Sequence, residues 1–216
     1  MLTLDAKHIR ELREDLQHLA PPYQLRKYEA TIEDYEEPAH EDLRCEYLDE
    51  VQIVHSPASV QHEERLIFLA TLLNTVVAGR RLGRMYASNA VMQLGERRFC
   101  PDLSYLAAEH TDRIRGTRVV GPTDLVVEMA FTDTREYDLG EKHAACHQGR
   151  IPKIWFINAD HKQVQVNVLE GEVHLTNTFT NGRFDGRILP GISIEVNWFW
   201  TEPLPNPLEC LKTATK

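Results

Sequence analysis

A chain of 216 residues, 42% of them hydrophobic and 26% charged, can bury one good core and does not require a second domain. Its apolar runs all fall short of the ~20 residues that cross a bilayer, and the charged start lacks the basic, apolar and small-residue parts of a secretory signal, so a cytoplasmic protein with no membrane segment is expected. The formal charge of -9 argues against a sequence-independent binder of phosphate backbones, although basic clusters remain at Gly79 to Arg84 (GRRLGR) and at Arg97-Arg98.

In chain order, DAKHIRELREDLQHLA carries Ile9, Leu12, Leu16 and Leu19 at helical spacing and ends at Pro21-Pro22, which predicts an N-terminal amphipathic helix. Residues 23–42 are acidic and polar and read as a linker or a short irregular helix, so that 1–42 form an arm. CEYLDEVQIVHSP alternates like a hairpin closed by Pro57. A long helix follows, with Ser59 as N-cap, Glu63 and Glu64 in its first turns and a stop at Gly79. RMYASNAVMQL, RRFCPDLSYLA and TDLVVEMAF read as three strands, with the polar HTDRIRGTRVVG between the last two. A second helix from about Tyr137 to Gln148 precedes the strand KIWFINA. VQVNVLEGEVHLTNTF, with its Glu-Gly turn, and ISIEVNWFW read as added β elements, and 201–216 as a tail. This order predicts an α/β domain over 43–200. Cys45, Cys100, Cys146 and Cys210 stand singly without CxxC spacing, so they are expected as reduced thiols rather than disulfides or zinc ligands.

One acid is out of place. Glu128 lies inside LVVEMAF, where an unpaired carboxylate would cost several kcal/mol or take up a proton. It must serve a function or pair with a buried arginine. Period-two alternation puts Asp124, Val126, Glu128 and Ala130 on one face of this strand. Asp102 opens another predicted strand, at a separation that suits two neighbouring strands, so Asp102 and Glu128 can converge. Taken alone, Asp102 is equally a turn residue. Clustered carboxylates repel unless a hard cation such as Mg²⁺ or Mn²⁺ bridges them, and such an ion can activate water for phosphodiester attack. In DLGEK, Asp138 and Lys142 sit at i,i+4; the lysine can reach back to stabilise phosphoryl charge, although the spacing also fits an ordinary surface ion pair.

CEYLDE, SPASVQH, PDLSYL, DLVVEMAFTDT, DLGEK and IPKIWFIN occur in the order of the motifs of the bacterial family known as Uma-type putative restriction endonucleases, within the PD-(D/E)XK nuclease superfamily. The resemblance runs from about Glu46 to Asp160, with LPGISIEV resembling the family's C-terminal end. It implies a restriction-endonuclease-like core, a mixed sheet flanked by helices, here with added β-hairpins and an N-terminal helix. It also implies a divalent-metal site in which Asp102 matches the aspartate of PD, Glu128 the acid of the strand and Lys142 the lysine of D-x-x-x-K. The superfamily's usual lysine position, two after the acid, is Ala130 here, so Lys142 fills the vacancy from the helix. His62 and Glu63 fall where the superfamily often places an accessory acid or substrate contact. A homodimer is implied as well.

The leading expectation is therefore a Mg²⁺- or Mn²⁺-dependent nuclease acting on DNA, with Asp102 and Glu128 as metal ligands, Lys142 catalytic, and Asp124, Asp138, His62 and Glu63 accessory. A second reading is a catalytically weak or inactive nuclease fold that binds nucleic acid or protein, motivated by the acidic charge and by FTDT in place of the relatives' proline-containing turn. A third is zinc bound by His143 and His147, which share a helical face at i,i+4.

Overall fold

The computed structural model describes residues 23–36, 44–130, 140–185, 189 and 191–215. The N-terminal amphipathic helix and Asp138 lie outside them. The sequence read as a linker begins with strand β1 (Gln24–Lys27), which pairs antiparallel with β3, and continues into a one-turn helix α1 (Ile32–Tyr35). A capping box explains the turn: Asp34 N–H donates to the Thr31 hydroxyl, and Thr31 N–H donates back to the Asp34 carboxylate. Polar composition concealed this edge strand because half of its surface faces water.

The expected hairpin is β2 (Cys45–Leu48) and β3 (Val51–His55), and the long helix α2 (Val60–Gly79) starts on Ser59, whose hydroxyl accepts from His62 N–H. Two predicted strands each divide in two. RMYASNAVMQL becomes β4 (Gly83–Ala87) and β5 (Val91–Leu94); RRFCPDLSYLA becomes β6 (Arg97–Phe99) and β7 (Leu103–Ala107), broken at Cys100-Pro101-Asp102. Each pair straddles two sheets, a change of partner that periodicity along the chain cannot register. The polar stretch after β7 holds a 3₁₀ turn (Ala108–Arg113) and a small hairpin, β8 (Ile114–Arg115) and β9 (Arg118–Val120).

The remaining elements are β10 (Leu125–Ala130), α3 (Glu141–Gln148), β11 (Lys153–Asn158), the hairpin β12 (Gln163–Glu170) and β13 (Val173–Phe179), and the pair β14 (Arg183–Asp185) and β15 (Ser193–Glu195). A 3₁₀ turn (Val196–Phe199) and α4 (Pro207–Ala214) follow. Gly171, at φ 62°, turns the β12–β13 hairpin. The stretch 201–216 thus includes a helix, which packs on α2 and puts Cys210 into the core.

One sheet has seven strands in the order β1-β3-β2-β6-β5-β9-β8; the other has six, β13-β12-β11-β10-β7-β4. β10 and β11 are parallel and the other neighbours in the six-stranded sheet antiparallel. This mixed α/β architecture agrees with the expected fold class. Alternation along β10 divides the interior into two cores. Leu125, Val127 and Met129 face a core shared with Leu69, Leu72 and Leu73 of α2 and with Trp155, while Val126 faces a second core with Ala145 and Cys146 of α3 and Leu48, Ile53 and Phe99 of the seven-stranded sheet. The three-residue break Cys100-Pro101-Asp102 carries the chain from one sheet to the other, beside the second core.

The Trp198-Phe199-Trp200 triplet belongs to the first core, with Phe199 fully buried and both Phe199 and Trp198 edge-on to Phe68. Leu72 is fully buried in the same core. Leu72→Ala is expected to cost about 2–5 kcal/mol, read as a lower urea midpoint with an unchanged denaturant slope.

Candidate active site

β2, β7, β10, α2 and α3 each bring or border a charged group at the junction of the two sheets. Leu103 pairs with Val127, and one step further in this antiparallel register sets Asp102 against Glu128 on the face directed at α3. Met129 N–H donates to Asp102 Oδ2 at 2.8 Å. Strand pairing thus sets Asp102 and Glu128 at neighbouring positions. Lys142, in the first turn of α3, places its Nζ 3.0 Å from a Glu128 oxygen and 3.0 Å from Glu46 Oε1 on β2. It also reaches the Cys100 carbonyl at 3.5 Å.

Glu46 is the acid that sequence reasoning did not single out. Its Oε1 accepts from Cys100 N–H at 2.7 Å, and its Oε2 lies 2.9 Å from His55 Nε2. The signal was available: Glu46 stands between Cys45 and Tyr47 in a strand all of whose residues are buried, the same anomaly that marked Glu128. Arg44 was also missed; its Nη2 donates to Asp102 Oδ1 at 2.7 Å.

Three acids and one lysine are nearly removed from water, with Glu46 0%, Glu128 1%, Lys142 1% and Asp102 3% exposed. Burial pushes the Glu46 carboxyl up, but Lys142, His55 and Arg44 outweigh it and hold the group well below the usual carboxylate range. Burial acts the same way on Asp102, where the His62 hydrogen bond and the Arg44 charge prevail and lower it. The His62 imidazole is pushed down by burial and raised by more through Asp102, whose Oδ2 is 3.2 Å from its Nε2.

Of the accessory residues, His62 therefore joins the cluster. Glu63 is half exposed on the solvent side of His62, 3.3 Å from its Nδ1. Asp124 does not join: it precedes β10, accepts from Ala107 N–H at 2.7 Å and pairs with His110 Nδ1 at 2.8 Å. Four residues before Glu128, it lies about 13 Å away along the strand. Sharing a face does not bring two residues to one point.

His143 and His147 share a face of α3 with their rings side by side. The ring centroids of His143 and His147 lie 4.1 Å apart at a tilt of 41°, and those of His147 and His174 of β13 lie 4.1 Å apart at 34°. Cys146 points into the second core, fully buried. Among the described residues, no group of three or more His, Cys, Asp and Glu side chains is arranged to hold a metal ion. Burial, then the neighbouring imidazoles, push His147 down to about 4.

A family model described as "Uma2: Putative restriction endonuclease" matches residues 32–197. The chain belongs to this family. None of the curated proteins matches it. A crystal structure of a putative nuclease belonging to DUF820, from Anabaena variabilis, is similar in fold, with a TM-score of 0.61 at 16% identity over 72% of this chain and 89% of that one. The Uma2 match includes β2, β7, β10 and α3, and hence every member of the cluster. Among the described residues, no helix is long and apolar enough to cross a membrane.

Two measurements test the electrostatics of this Uma2 site. Lys142→Met strands two buried carboxylates and is expected to cost about 3–5 kcal/mol, with part recovered in Lys142→Met/Glu46→Gln by urea unfolding. Stability should also fall in two limbs on acidification. An unfolded histidine takes up a proton below about pH 6.5 while folded His147 stays neutral to about 4, so the upper limb begins there. An unfolded glutamate protonates below about pH 4.5 while folded Glu46 resists, so stability that is complete above that pH is lost beneath it. Glu46→Gln should flatten the lower limb and leave the upper one unchanged.

Proposed function

We propose that this protein is a divalent-metal-dependent endonuclease that hydrolyses phosphodiester bonds of DNA. The observation that carries the reading is the Lys142 ammonium, 3.0 Å from a carboxylate on each of two sheets, beside an aspartate set by register against Glu128. Asp102 and Glu128 are hard oxygen donors of the number Mg²⁺ or Mn²⁺ takes from protein, with water and substrate completing its shell. By that donor chemistry they would hold such an ion. When bound, the ion supplies Lewis-acid polarisation of a phosphoryl oxygen and neutralises developing charge.

The chain's own groups account for the rest. An ammonium wedged between carboxylates is a hydrogen-bond donor and a fixed positive charge, so Lys142 orients the attacking water or stabilises the phosphoryl oxygens. Glu46 fixes Lys142 from the opposite sheet. Arg44, His62 and Met129 N–H hold the Asp102 carboxylate in one orientation, as productive positioning requires. Water attacks phosphorus, forming a new P–O bond and releasing a proton to solvent, as one P–O ester bond breaks and the leaving oxygen takes a proton from solvent. A homodimer would bring two such sites to the two strands of a duplex.

The near-complete burial of the cluster favours a second reading, a nuclease fold that binds nucleic acid or protein without cutting. Incubation of supercoiled plasmid with Mn²⁺ decides between them. Nicking is expected, reduced at least about a hundredfold in Glu128→Gln and Asp102→Asn, with both variants folded by circular dichroism. Failure of the wild type to cut varied DNA and RNA substrates would leave the binding module.

A further inference from the structure

Arg44 differs from every other cation of the cluster. Its backbone is fixed at the start of β2, where its carbonyl accepts from His55 N–H at 3.0 Å. Its Nη2 reaches Asp102 Oδ1 at 2.7 Å and the Cys100 carbonyl at 3.4 Å. Among the described residues the other two nitrogens donate to nothing, and Nε is buried without a partner, a state that native structures seldom leave unexplained. Of the cluster's cations, Arg44 has the greatest side-chain access to solvent. The Arg44 side chain is 22% exposed, against 1% for Lys142 and 8% each for His55 and His62.

Of the cluster's cations, the Arg44 side chain is therefore the one a phosphodiester arriving from solvent reaches most readily. Guanidinium matches phosphate oxygens with paired donors, where an ammonium offers a point charge. The neighbouring acids would repel that substrate, and Asp102, Glu46 and Glu128 all act on Arg44 as opposite charges. Arg44 therefore offsets the charge of these acids and keeps Nη1 without an acceptor among the described residues.

We propose that Arg44 is the substrate-phosphate contact of this site: its Nη1 donates to a non-bridging oxygen of a nucleic-acid phosphodiester while Nη2 keeps Asp102 in place. The assignment rests on the nuclease reading above, and its test is chosen to fail separately from it. Binding of a fluorescein-labelled DNA duplex is measured by anisotropy in Ca²⁺ across a salt series, for the wild type, Arg44→Met and Arg44→Lys, with Mn²⁺ affinity and Tm measured alongside.

Arg44→Met is expected to weaken binding about tenfold or more and to reduce the slope of log Kd against log salt by about one. Arg44→Lys should restore the slope and recover only part of the affinity, because the charge returns without a planar group that can hold Asp102 and the phosphate at once. A residue that only braced Asp102 would change Mn²⁺ affinity or Tm and leave the salt slope alone, and that outcome overturns the proposal, as does wild-type Kd in both variants. Should Arg44→Met fail to fold, wild-type affinity in Arg44→Lys overturns it equally. A wild type that binds through Arg44 but never cuts overturns the nuclease reading and upholds the phosphate contact.

Discussion

The Lys142 ammonium is a buried positive charge with a carboxylate on either side, Glu46 from one sheet and Glu128 from the other. Each of these charges would be too costly to bury alone; together, with Cys100 N–H and His55 on Glu46, they are hydrogen-bonded in a way that a low-dielectric interior tolerates. The interaction also has a structural consequence. α3 cannot shift along the sheet, nor can β2 separate from β10, without stranding one of the three. The second core, in which Ala145 and Cys146 of α3 meet Val126, Ile154 and Phe156 on one side and Leu48, Ile53 and Phe99 on the other, closes around that constraint.

Buried ion pairs are weak evidence for stability, since an apolar replacement of similar shape often does as well. Their retention at the joint of two sheets is better explained by what the geometry does. Strain-free strand pairing delivers Asp102, the break at Pro101 frees the Cys100 carbonyl for Lys142 and Arg44, and α2 delivers His62 from its capped first turn. These placements come from regular elements and the three-residue break between β6 and β7 rather than from long loops, which is how a site is held to a fraction of an ångström. Arg26, paired with Glu141 at 2.8 Å, adds a tie between β1 and the start of α3. It is partly exposed, so its contribution to stability is small, but it joins the residue next to Lys142 to the edge of the seven-stranded sheet.

Legibility in the sequence followed the range of the interaction. Helix α2, its Ser59 cap, the β2–β3 hairpin, β10 and β11 were readable because capping and alternation are local. Glu128 was readable because a single acid in an apolar run is anomalous without reference to anything else. Glu46 carried the same mark but stood in a shorter and more polar stretch, ending in Asp49 and Glu50, where a carboxylate looks ordinary. The divided strands were not readable: β4 and β5, or β6 and β7, differ in their partners and not in their periodicity. Asp124 shows the opposite failure, a face shared in sequence pattern with a separation along the strand that removes it from the site.

The sequence by itself therefore determined which residues are chemically unusual and on which side of which element they lie. Both depend on neighbours within a few positions, and the ordered motifs that place the chain in the Uma2 family are of this kind. Only the tertiary structure decided that Glu46, Asp102, Glu128 and Lys142 form one cluster, that Arg44 rather than Lys142 is its most accessible cation, and that the His143 and His147 rings lie beside His174 of β13. Pairing register, the crossing from one sheet to the other and the direction of a side chain in a packed core are set by contacts distant along the chain, where local pattern carries no information.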